Sequence, residues 1–174
     1  MAGIAAGRGS VGGGVTLVLQ PPVEFIVRQH GAFRRALEDL TGLWERFVPL
    51  VAAMEERWIS SRGDGSWPDL AESTLASKQQ RGFSLEPLRT DDRPESLYRT
   101  LVDPQQAARI GPGSLIWETD VAYAHFHQDG GDVAGRPPQR QVIPDPIPLA
   151  DRRTFEAATV SWLNEQAALA FGRL

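Results

Sequence analysis

Residues 107–119 read AARIGPGSLIWET, and the reading of this stretch decides between an all-helical chain and a mixed one. Glycines flank a proline at Gly111-Pro112-Gly113. Proline fixes its own φ, and glycine accepts the backbone angles of a tight reversal, so the triplet predicts a turn. The flanks, 107–110 and 114–119, carry Ile110, Leu115, Ile116 and Trp117, side chains that suit a pleated surface. Together they predict a β-hairpin.

Toward the N-terminus the period changes. Phe33, Ala36, Leu37 and Leu40 follow the i, i+3, i+4, i+7 rule of an amphipathic helix. The period resumes at Leu43, Trp44, Phe47, Leu50, Val51, Met54 and Trp58. Thr41-Gly42 predicts a break, and Pro49 predicts a kink or restart, because proline lacks an N–H and clashes with the preceding turn. A helical region over 33–59, in two pieces, is expected. Further out, 23–28 (VEFIVR) and 15–19 (VTLVL) read as two short strands or one broken edge strand, separated by Gln20-Pro21-Pro22. Residues 1–14 are rich in glycine and alanine and predict a flexible arm. No Gly-Lys-Ser/Thr follows to make them a phosphate loop.

Beyond the helical region, 60–66 (SSRGDGS) predicts a turn. The Arg62-Gly63-Asp64 tripeptide, an adhesion ligand in other settings, is more simply part of that turn. Residues 67–81 predict a short helix, 83–94 a loop, and 96–102 a helix in preference to a strand. Past the hairpin, 121–127 continues as strand, and 130–148 is a long irregular segment interrupted by prolines. Asp151 is expected to cap a final helix whose apolar face is Phe155, Ala158, Trp162, Leu163, Ala167 and Leu169. The fold class is therefore α+β. A small antiparallel sheet packs against a long, kinked N-terminal helical region and a C-terminal helix, with long loops. Residues 15–174 form a single domain behind the arm.

The bulk properties agree with an ordinary globular chain. A chain of 174 residues can bury roughly 70% of its unfolded surface. The absence of cysteine excludes disulfides and thiolate metal sites. A net charge of −4 argues against a duplex-binding protein, which usually presents a basic face. No run approaches the ~18 apolar residues that span a bilayer, and residues 1–14 lack the apolar middle of a signal peptide. The expectation is a protein without membrane contact, made in the cytoplasm.

Residues 123–131 read YAHFHQDGG and carry the densest chemistry. In a strand, His125 and His127 point to one face, and Asp129 would make a third metal ligand. The remaining histidine, His30, is far away in sequence, and a His-x-His pair alone is a weak metal signal. His125 beside Asp129 could also be an oriented base, but no serine sits in a nucleophile-elbow pattern. Asp91-Asp92 and Glu55-Glu56 read as solvated surface. The simpler reading makes Tyr123 and the histidines amphipathic side chains at a subunit boundary, with no catalytic residue, metal or cofactor.

The order of motifs adds a family likeness. Trp67-Pro68-Asp69-Leu70 followed by Ser73 to Lys78 resembles the "W-x-x-L, then S/T-x-x-x-x-K" segment of phage virion-morphogenesis and tail-completion proteins. Leu88 to Asp91 and Ser96-Leu97 stand where that family has "T-G-x-L-x-x-S-L", with an insertion between them. The hairpin follows, and then Tyr123-Ala124-His125-Phe126-His127-Gln128-Asp129-Gly130 is similar to the family's "Y-A-x-x-H-Q-x-G". His127 and Gln128 fall on the His-Gln pair, and His125 falls on a variable position. Gly135-Arg136-Pro137-Pro138 and Val142-Ile143-Pro144 resemble its proline-arginine segment. The likeness covers residues 47–169. It implies a small α+β subunit of a ring of six in the virion, at the head-proximal end of the tail or in the neck. There it completes or terminates the tail so that it joins the filled head. The implied partners are copies of the chain itself, the tail-tube protein and the connector or neck proteins. DNA would pass the lumen without specific binding, which the acidic balance suits. Tyr123, His125, His127, Gln128, Arg136 and Pro137 are the expected subunit or ring contacts. The alternatives are a metal-dependent enzyme using His125, His127 and Asp129, and a monomeric adaptor of tail assembly.

Overall fold

The two-residue reversal at Pro112-Gly113 joins β1 (Ala108–Gly111) to β2 (Ser114–Trp117). The pairing is antiparallel, with Ala108 opposite Trp117 and Arg109 opposite Ile116. Two neighbours hold this small ribbon in place. Trp117 Nε1 donates to Leu101 O at 3.0 Å, and Leu40 N donates to Pro112 O at 2.8 Å. The computed structural model describes residues 23–89, 96–130 and 138–172. The arm at 1–14, the expected strand at 15–19 and the Asp91-Asp92 pair lie outside the described residues, as do Arg136 and Pro137.

The fold is α+β. In chain order, α1 (Val23–Glu38), α2 (Thr41–Ser60), α3 (Glu72–Gln80), α4 (Leu97–Val102) and α5 (Pro104–Ala107) precede the hairpin, and α6 (Ala124–Asp129) and α7 (Leu149–Phe171) follow it. By its contacts the chain divides into two units. Residues 39–162 form the larger. The smaller joins α1 to the end of α7, where the rings of His30 and Phe33 meet Phe171 with centroids 5.4 and 5.7 Å away.

Several elements differ from expectation. Residues 23–28 are helical, not extended: an apolar run of this length has no periodicity that separates strand from helix. The break before α2 falls at Asp39-Leu40, and Thr41 N–H donates to Asp39 Oδ1 at 3.0 Å. Thr41-Gly42 instead opens the helix. Pro49 neither ends nor restarts α2. An interior proline costs about 3 kcal/mol, and α2 is anchored on both sides of it. Leu43 is buried before it, Met54 and Ile59 after it, and Phe47 stacks on Phe155 at 5.0 Å. Asp151 is not the cap of α7 but lies in its first turn, where it pairs with Arg57 of α2.

The core of the larger unit gathers Ile59, Trp67, Leu88, Leu97, Leu101, Ala124 and Val142. α2 packs against α4, α5 and both strands. The Arg62-Gly63-Asp64 stretch is a turn in which Arg62, Gly63, Asp64 and Gly65 all have positive φ, 56°, 62°, 52° and 80°. Gly63 is required here: a Cβ would stand 2.4 Å from Trp67 Nε1. The indole thus lies flush against the backbone. Arg62 is bound to Asp69 and Glu86.

Candidate functional site

The segment 121–127 is not a strand. Tyr123 precedes the first turn of α6, and this changes which side chains share a face. At ~100° per residue, His125 and His127 diverge by about 200°, whereas Ala124 and Gln128, four apart, align. The common face expected for the two histidines does not exist. Among the described residues, no group of three or more His, Cys, Asp or Glu side chains is placed to hold a metal ion.

The aligned pair faces inward. Ala124 joins the core. Gln128 Oε1 accepts from Val142 N at 2.8 Å and Ile143 N at 3.0 Å, while its Nε2 donates to Ile143 O at 3.1 Å. One amide thereby satisfies three backbone groups of the returning chain, which has no regular structure to satisfy them. His127 O accepts from Arg140 N at 2.7 Å, and Gln128 O accepts from Gln139 Nε2 at 3.0 Å. Gly130 closes the turn with φ +67°, and a Cβ there would meet Gln139 Cβ at 2.7 Å.

Arg140 carries the brace across to the Trp67 segment. Its side chain is buried, 4% exposed, and Nη2 donates to Pro68 O and Asp69 O at 3.1 and 3.2 Å. Lys78 organises the adjoining loop. Its ammonium donates to Ser84 O, Glu86 O and Arg89 O at 2.7, 2.7 and 2.6 Å, so all three N–H donors are used. Burial lowers the pKa of both groups below the ordinary lysine and arginine values. Burial, and then the nearby Arg140 charge, lowers that of His127. Its Nδ1 has no hydrogen-bond partner among the described residues.

Of the expected contacts, Tyr123 is exposed at 45%, with its ring edge-on to that of His127, centroids 6.0 Å apart. His125 is exposed, as is Asp129, and the His125 ring lies 3.8 Å from that of Phe126. His127 is half-buried, and Gln128 uses its amide inside the fold. Sequence reasoning misses Glu55, which reads as solvated surface. It is fully buried at 0% exposed. Both of its oxygens lack a hydrogen-bond partner among the described residues, and burial pushes its pKa up to about 8. Its spacing, four residues from both Val51 and Ile59, already places it on the apolar stripe of α2. Glu56 does face its surroundings, bound to Arg89 at 2.9 Å and to the Tyr98 hydroxyl.

The arrangement is a fastening: motif-bearing segments distant in sequence are tied by side chain to backbone. No helix among the described residues is long and apolar enough to cross a membrane. In comparison with known proteins, no family model, no curated protein and no solved structure matches the chain.

Proposed function

We propose that this chain is a structural subunit of a tailed-phage virion, forming a ring at the head-proximal end of the tail or in the neck. The ring, six-membered by the likeness, completes or terminates the tail and permits head–tail joining. It works with copies of itself, the tail-tube protein and the connector or neck proteins, lets DNA pass without specific binding, and makes no bonds.

One observation carries the reading. Several of the residues that carry the family likeness come from distant segments and meet in one physical unit. Trp67 and Ala124 lie in one core with Val142, Gln128 grips Val142 and Ile143, and Arg140 of that same segment reaches the carbonyls of Pro68 and Asp69. A likeness that falls on fold-determining contacts favours a common scaffold, and the assembly role is carried over from that scaffold by analogy.

The test is assembly. The purified chain, mixed with tail tubes and imaged by negative stain, is expected to place a ring at one tube end. Tyr123→Ala, exposed and outside the core, is expected to leave the monomer folded and reduce ring formation. Bare tube ends, or a map of the virion without this chain at the head–tail junction, would sink the proposal. A monomer that promotes tail assembly and then departs would establish the adaptor reading instead.

A further inference from the structure

Beside the hairpin lies an open groove of about 700 Å³, lined among others by Thr100, Arg109, Asp120, Val121, Ala122 and Tyr123. Its shape is set by the protein's own bonds. The Thr100 and Thr119 hydroxyls meet at 2.7 Å, and Thr119 Oγ1 accepts from Val121 N at 3.3 Å. Arg109 is tethered to the carbonyls of Gln106 and Ala108. The groove thus presents an apolar wall, an aromatic ring, the Asp120 carboxylate and the Arg109 guanidinium, whose charge is offset by Glu118 at 3.8 Å. Asp120 is exposed and has no hydrogen bond or ion pair among the described residues.

The same unit carries a ridge with the opposite features. Ile147 and Leu149, where α7 begins, are 39% and 63% exposed. Arg153 stands one turn beyond Leu149 on the same helical face. It too is exposed and without a partner among the described residues. An exposed leucine with a free guanidinium one turn away complements a groove with an apolar wall, a tyrosine ring and a free carboxylate.

We infer that the groove of one subunit takes the α7 ridge of the next. This rests on the ring reading above and names the two faces that make the ring. Leu149 seats on Val121, Ala122 and the Tyr123 ring, while Arg153 pairs with Asp120 and lies over the ring, a favoured place for a guanidinium. Groove and ridge are different surfaces of one chain, so the contact is head-to-tail, the kind that propagates until it closes. Tyrosine and arginine at its centre match the residue types that dominate interface energetics.

The chain has a single lysine, Lys78, which is buried with its donors occupied. Arg153→Lys therefore adds one accessible side-chain amine. Carbodiimide treatment of the assembled R153K ring is expected to join that introduced amine of one subunit to Asp120 of its neighbour, as read by peptide mass spectrometry. In parallel, Asp120→Arg and Arg153→Asp are each expected to raise the concentration for half-assembly by roughly tenfold, and the double swap to recover most of it. A ring that forms normally in both single swaps overturns the inference and leaves the ring reading standing. So does one in which the introduced amine couples elsewhere, including to a connector or tube protein seated in the groove. A wild-type chain that stays monomeric both alone and on tail tubes overturns the two together.

Discussion

Lys78 and Glu55 are both charged side chains buried in the larger unit, and their surroundings are opposite. Lys78 gives each of its three N–H groups a backbone carbonyl. Glu55, deeper and on the long helix α2, has a partner for neither oxygen among the described residues. The difference teaches what burial costs. A charge removed from water is tolerated when fixed dipoles replace the lost hydration, and it neutralises itself when they do not. Lys78 is structural because its partners are backbone groups of a loop that lacks other satisfaction. Glu55 contributes no such bond, and burial alone raises its pKa to about 8.

The largest expected effect comes from breaking this contrast at Glu55. Its folded pKa of about 8 lies above the reference value of 4.5. The buried carboxyl is therefore best tolerated below pH 4.5, and its stability is lost as the pH rises through 8. At 1.36 kcal/mol per unit, the full difference is about 5 kcal/mol. Glu55→Gln keeps the volume and removes the titration. Urea denaturation should show the variant gaining on the wild type from pH 5 to pH 9, by up to about 4 kcal/mol of that total. A constant difference between the two proteins across that range would mean that Glu55 finds a partner or water in solution.

Lys78→Met tests the opposite case. The thioether fills similar space but leaves the carbonyls of Ser84, Glu86 and Arg89 without their donor. Unsatisfied buried acceptors cost about 1–3 kcal/mol each, and the loop opens to water before the full sum is reached, so a loss of about 3–4 kcal/mol is expected. Faster hydrogen exchange confined to residues 83–89 would locate it. Gln128→Ala ranks next. It frees Val142 N, Ile143 N and Ile143 O at the half-buried edge of the brace, with an expected loss of about 2–3 kcal/mol. Gln128→Glu separates the parts of this effect: it keeps the acceptor for the two amides and loses the donor to Ile143 O, so it should cost less than alanine. Equal losses for the two would assign the role of Gln128 to its donation to Ile143 O.

The hairpin and the long helix α2 are legible in the sequence because their signals are local. Gly-Pro-Gly between apolar flanks marks a reversal wherever it stands, and the repeat from Leu43 to Trp58 needs nothing outside α2. Helix α6 is not legible. A strand reading of 121–127 sends His125 and His127 to one face and hides the alignment of Ala124 with Gln128. What stabilises a helix of six residues is its tertiary attachment, and the partners of Gln128 lie fourteen and fifteen positions away at Val142 and Ile143. Lys78 is illegible for a different reason: every residue has a carbonyl, so a cage of three leaves no trace in residue types. Glu55, by contrast, is open to detection, since the spacing that identifies α2 puts it between Val51 and Ile59. Its charge argues for the surface and its position for the core, and the buried face of the helix decides for position.

The smallest effect is expected at His127, and it sharpens the contrast from the acid side. Its ring is half-buried, and both burial and the Arg140 guanidinium lower its pKa from 6.5. The sign is opposite to that of Glu55. A base whose folded pKa is depressed supplies stability above its unfolded value, lost as the pH falls through the folded one. The charged groups in this quarter are Arg140, whose Nη2 is bound to two carbonyls, and Asp129, which is exposed. Protonating His127 therefore adds a second positive charge beside a cation that has only neutral acceptors. His127→Phe keeps a ring against Tyr123, removes the unpartnered Nδ1 and should flatten the acid limb of the stability curve below pH 6.5. Glu55→Gln leaves that limb in place and flattens the alkaline one. If the acid limb persisted unchanged in the phenylalanine variant, the charge that destabilises this quarter at low pH would belong to another group, and the Arg140–His127 proximity would carry no energetic weight.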